Sequence, residues 1–210
     1  MNIALIFFSA FSLMLMTAAI MKVLEQKFMT HHVTDRSFDI LDLQFPVNAE
    51  EMRMIINGIF RLSPATSSQS VRAVKGQLFV DFIFMPAAYG SIFILCWVAA
   101  SCLPPGWESF FKSIGLVQAL AWICDISENI FLLGHIKPYK EEEVINRYKL
   151  YQFFVYTKWL TAIIGIVCAI SIYTYLLFSG LFPVRWYIYL GAVIAAVLVF
   201  TFSTRRQKKS

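Results

Sequence analysis

The sequence predicts an all-α, polytopic membrane protein with five transmembrane helices. One observation is composition: 59% of the 210 residues are hydrophobic and only 15% charged, with a mean hydropathy of +0.66, far from the soluble globular norm. Another is the presence of five apolar stretches, at 2–21, 77–103, 110–134, 151–178 and 186–203. Each is close to the ~20 residues that cross ~30 Å of hydrocarbon. The last is a segregation of basic residues that fits five crossings. The whole chain, 1–210, reads as a single integral membrane domain.

The first stretch, 2–21, is read as an uncleaved span. Thr17-Ala18-Ala19 offers a signal-peptide cleavage site, but no basic residue precedes the apolar run. Cleavage would also invert the charge pattern described below.

Residues 22–76 form the only sizeable non-spanning segment. It enters through His31, His32, Asp35 and Arg36. Phe38 to Phe45 then alternates imperfectly and stops at Pro46. His31-His32 is not expected to ligate a metal, because adjacent side chains on a helix or strand point apart. Asp39 and Asp42 read as a solvated face near the bundle entrance. Asn48-Ala49-Glu50-Glu51 resembles a capping box. Met52, Ile55, Ile56, Ile59 and Phe60 follow at helical spacing. An amphipathic helix over 49–62 is therefore expected, lying at the cytoplasmic interface or packed beneath the bundle. The run Ser63-Pro64-Ala65-Thr66-Ser67-Ser68 is expected to end it as a flexible connector.

The second span, 77–103, contains Pro86, so a kink near Phe82 is expected. Pro104-Pro105-Gly106 forms an external turn. The third span, 110–134, starts weakly because Lys112 belongs to the interface. Glu141-Glu142-Glu143 reads as a charge run opening a short helix before the fourth span, 151–178. Pro183 marks the external turn before the fifth, 186–203. Gly165 with Ala169, and Gly191 with Ala195, supply small faces for close helix packing. Cys96, Cys102, Cys124 and Cys168 form no CxxC or Cys/His pattern and read as small buried hydrophobes.

Orientation follows from charge. With five spans, residues 22–76, 135–149 and the tail Arg205-Arg206-Gln207-Lys208-Lys209-Ser210 share one side. That side holds fifteen of the 18 basic residues, against Lys112 and Arg185 on the other, with Lys158 inside the fourth span. The positive-inside rule then puts the N-terminus outside and the C-terminus in the cytoplasm.

The candidate site lies in Asp125-Ile126-Ser127-Glu128-Asn129, inside the third span. Spacings of three and four put Asp125, Glu128 and Asn129 on one helix face. Polar groups at membrane depth are costly and need partners or a task. At 1.5 Å per residue, Glu128 and Asp125 are ~9 and ~14 Å from the cytoplasmic end of their span. By the same measure Asp81 on the second span is ~6 Å deep and Lys158 on the fourth ~10 Å. Asp81, Asp125, Glu128, Asn129 and Lys158 therefore fall in one slab of the cytoplasmic half. Three acids against one base leave an excess of acid, to be met by a proton, a metal ion, Arg61 or Arg72 reaching up, or a ligand amine.

Three functions are compatible with this pattern. One is a protein whose acidic site binds or transports a proton, a cation or a small amphiphilic ligand. Another is a small membrane enzyme acting on a lipid or isoprenoid, with Asp125 or Glu128 in acid/base chemistry, or with Asp81, Asp125 and Glu128 as metal ligands. The third is a structural or interaction protein in which the cluster fixes helix register and Lys158 snorkels to the interface. The compatible partners are the lipid bilayer, a lipid or amphiphilic ligand, and a second copy of the chain. No basic-aromatic module argues for nucleic acid, and the sequence names no cofactor.

Overall fold

A computed structural model of the chain describes residues 3–140, 145–180 and 191. Outside the described residues lie the expected fifth span apart from Gly191, the Glu141-Glu142-Glu143 run, the Pro183 turn, the basic tail, and Ala195 of the second small-residue pair. The described elements are α1 (Ile3–Glu25), β1 (Met29–His31), β2 (Asp35–Ser37), α2 (Ile40–Gln44), α3 (Ala49–Arg61), α4 (Pro64–Ala100), α5 (Pro105–His135) and α6 (Tyr148–Phe178). The chain is mostly helical, and four helices, α1, α4, α5 and α6, are long and apolar enough to cross a membrane.

The described residues pack as two compact units, one from 3–19, 83–122 and 159–180, the other from 20–82, 123–140 and 145–158. In the first, Ala99, Ala100, Phe111, Ile172 and Leu176 form one buried cluster, and Ile92, Cys96 and Ala169 another. Gly165 faces the Gln118 amide, and a Cβ there would stand 2.8 Å from Ile92 Cγ2. Gly165 and Ala169 thus do form a close-packing face. Lys112 pairs with Glu108 one turn back and stands 5.4 Å from the centre of the Trp97 ring.

The second unit holds most of the loop-borne structure. Strands β1 and β2 pair antiparallel, with His31 opposite Asp35. This ribbon is a departure from the all-α expectation. His31 Nδ1 lies 2.6 Å from Asp35 Oδ1. Helix α2 replaces the imperfect alternation expected from Phe38 to Phe45. Asp39 and Asp42 are a reciprocal capping box: Asp39 accepts from the Asp42 amide at 3.1 Å and Asp42 from the Asp39 amide at 3.0 Å. These two acids therefore start a helix rather than simply forming a solvated face.

Helix α3 starts at Asn48, whose side chain accepts from the Glu51 amide at 2.9 Å. The Glu51 carboxylate reaches back one residue further than a capping box requires, accepting from the Val47 amide at 2.5 Å. The apolar face of α3 is buried in protein: Met52, Ile55, Ile56 and Ile59 join Phe28, Leu43, Leu78, Leu132, Tyr151 and Val155 in one core. Each such burial contributes about 1.5–3 kcal/mol relative to exposure. Its apolar stripe is thus covered by protein. Gly58 lets the ribbon approach: Thr30 Oγ1 donates to the Ile55 carbonyl at 2.8 Å. A Cβ on Gly58 would overlap Thr30 Oγ1 and come within 2.6 Å of the His31 carbonyl oxygen.

The expected connector from Ser63 to Ser68 is instead the start of α4. Ser63 accepts from the Thr66 amide at 3.4 Å and its carbonyl from the Ser67 amide at 2.9 Å. Pro64 takes the first helical position, where its missing N–H costs nothing. Hydropathy places the start of this helix too late because polar residues continue it below the apolar stretch. Ser70, on the same early turns, accepts from the Met29 amide at 2.7 Å and ties the ribbon to α4. The helix continues through Pro86.

Candidate functional site

All five candidate residues belong to the second unit. Asp81 comes from α4, Asp125, Glu128 and Asn129 from α5, and Lys158 from α6. Helical spacing presents the α5 trio on one side of its helix. On α6, Tyr151, Val155 and Lys158 follow at spacings of four and three, and all three are buried, at 0%, 0% and 5% exposure.

The ammonium of Lys158 sits between two carboxylates. Its Nζ lies 2.7 Å from Asp125 Oδ1 and 2.6 Å from Glu128 Oε2. Asp125 and Glu128 are 4% and 0% exposed. Lys158 does not snorkel, because its charge is matched inside the protein.

Asn129 holds the third carboxylate. Its Nδ2 donates to Asp81 Oδ2 at 2.8 Å and to the Leu78 carbonyl at 3.3 Å. Its Oδ1 is buried and accepts no hydrogen bond among the described residues. Asp81 is half-buried, unlike the other members, and its carboxylate interacts electrostatically with Asp125 and Lys158. The cluster has two bonded parts, Asp125–Lys158–Glu128 and Asn129–Asp81, with its most buried point at Glu128 and a more open edge at Asp81.

Gln44, on α2, is a further member. Its Nε2 donates to Glu128 Oε1 at 2.7 Å, so both oxygens of Glu128 face a donor. The sequence carried one signal for it, a lone amide between Leu43 and Phe45 in an apolar run ending at Pro46. A depth argument cannot find it, because it lies outside every spanning stretch.

Other polar residues lie apart in their bonding. His135 Nδ1 pairs with the Phe131 carbonyl at 2.7 Å, and its ring stacks on Phe131 at 3.9 Å. Among the described residues no group of three or more His, Cys, Asp or Glu side chains has the arrangement to hold a metal ion. Asp125 and Glu128 are ion-paired with Lys158, and Asp81 is hydrogen-bonded to Asn129. Compared with known proteins, the chain matches no family, no curated protein and no solved structure.

Proposed function

We propose that the protein is a multi-pass membrane protein that binds and passes protons at the Asp81–Asp125–Glu128–Lys158 cluster. One observation carries this reading: beside three carboxylates there is a single ammonium, and it is held by two of them, Asp125 and Glu128. Among the described residues Asp81 makes no ion pair; its side-chain partner is the neutral amide of Asn129. Fully ionised, the four groups would leave two negative charges uncompensated. Burying even one unpaired charge near mid-bilayer costs at least ~2.5–3.5 kcal/mol on insertion scales. A proton is the compensating cation that needs least space, and the short side-chain contacts around Glu128 favour it over a larger ligand.

The basic-residue asymmetry supports five spans with the N-terminus outside and the C-terminus in the cytoplasm, which would put the cluster in the cytoplasmic half. The reading is tested by proton flux in proteoliposomes under an imposed potential. Wild-type protein should acidify or alkalise the lumen above the rate of empty vesicles, and Glu128→Gln and Asp125→Asn should abolish the excess while retaining a cooperative unfolding transition. Wild-type flux equal to empty vesicles rejects the reading. Stoichiometric uptake of an organic amine in that case would favour an amphiphilic ligand.

A further inference from the structure

We propose that Asp81, Gln77 and Asn129 form a binding site for a hard monovalent cation of the sodium class, at the open edge of the cluster. The site stands on its own geometry; only its link to proton passage rests on the function proposed above.

This edge holds more acceptors than donors. Asn129 Nδ2 donates to Asp81 Oδ2 at 2.8 Å and to the Leu78 carbonyl at 3.3 Å, so its amide lies against one turn of α4. Its own Oδ1 is buried and unmet among the described residues. Gln77 lies four residues before Asp81 on α4, and side chains at that spacing are neighbours on one helix face. Gln77 is only 6% exposed, and among the described residues its buried Oε1 accepts no hydrogen bond. Asp81 accepts from Asn129 through Oδ2 and has no ion pair among the described residues. A carboxylate and two amide carbonyls therefore gather where α4 meets Asn129 of α5, without donors to match them. Buried acceptors left unmet are costly, and lipid tails supply no donor.

The donor set selects the ion. Carboxylate and carbonyl oxygens suit hard cations, whereas soft metals favour sulfur or imidazole. Charge selects the valence. Calcium sites commonly gather several carboxylates, but this edge offers one, and the Lys158 ammonium already interacts with it electrostatically. The sum over the cluster agrees. Fully ionised, Asp81, Asp125, Glu128 and Lys158 leave two negative charges uncompensated. A proton on the Asp125–Glu128 pair and a monovalent cation at Asp81 bring the total to zero. Access agrees as well, because Asp81 is half-buried while Glu128 is enclosed. An ion that keeps part of its water can reach the first and not the second.

The test is binding of radiolabelled sodium to the purified full chain in detergent, at an ionic strength held constant with choline chloride. The wild-type chain should bind saturably, one ion per chain, and Asp81→Asn should abolish binding. Gln77→Leu, which keeps the carboxylate, should weaken it by roughly tenfold, the effect of losing one neutral group that faces a charge. That variant keeps the test decisive if Asp81→Asn does not fold. No saturable sodium binding by the wild-type chain overturns the site, and so does Asp81→Asn binding as tightly as wild type. Calcium bound more tightly than sodium also overturns it. Proton flux is scored on the same protein in proteoliposomes. Sodium binding without flux rejects the proton reading alone, and flux without sodium binding rejects the cation site alone.

Discussion

Lys158 and Glu128 form an ion pair at 2.6 Å in which the two side chains are only 7% and 0% exposed. Such a pair is poor evidence of net stabilisation, because desolvation offsets most of the attraction. Removing one partner is another matter, since it leaves the other charge buried and unmatched. Lys158→Met should therefore cost about 3–5 kcal/mol in denaturant unfolding in detergent. Adding Asp125→Asn and Glu128→Gln should recover much of the loss. A triple variant no more stable than Lys158→Met would mean that the charges are not what the lysine stabilises.

Asn129 should be sensitive to charge more than to shape. Its Nδ2 donates to Asp81 Oδ2 at 2.8 Å. Asn129→Asp keeps the volume but replaces a donor with a second carboxylate facing the first. It should destabilise the protein more than Asn129→Ala, and the excess should disappear in Asn129→Asp/Asp81→Asn. The excess should also shrink as pH falls, because protonating either acid restores a donor. Equal unfolding midpoints for the two single variants at all pH values would contradict the contact.

Gly58→Ala should unseat the ribbon from α3. The new methyl would meet both Thr30 Oγ1 and the His31 carbonyl oxygen, the latter at 2.6 Å. Overpacking of this kind costs about 1–3 kcal/mol. Because one obstacle is backbone, Gly58→Ala/Thr30→Ala should recover only part of the loss. Full recovery would show that the hydroxyl alone sets the limit. The measurement is thermal unfolding of the purified protein, with amide exchange at 29–37 locating the loosened segment.

Legibility in the sequence follows the range of the interactions involved. Asp125, Glu128 and Asn129 could be grouped because the period of one helix suffices. Asp81 and Lys158 could be added because membrane depth orders residues on different spans. Gln44 lies 84 residues from Glu128 on a segment with no depth to assign. The ribbon is not legible for a similar reason: its strands are three residues long, and Ser70 satisfies the Met29 amide from 41 positions away. Hydropathy found where α4 and α5 are apolar but not where they begin. Ser63 and Pro64 start α4 in polar sequence, and Pro105 starts α5 ahead of the paired Glu108 and Lys112.

Orientation is the remaining property that fifteen basic residues argue for. The ribbon, α2 and α3 lie between α1 and α4, so on the charge reading Gln44 should face the cytoplasm. Thiol probes decide this directly in a chain whose four native cysteines are replaced. Lys137→Cys lies on the expected cytoplasmic connector, and Glu108→Cys on the first turn of α5 at the opposite end. A membrane-impermeant maleimide added to intact cells should modify Glu108→Cys and spare Lys137→Cys until the membrane is opened. The reverse pattern would overturn the charge reading and put the open edge of the cluster toward the outside. Modification of both in intact cells would mean an even number of crossings between them, which a single α5 span forbids.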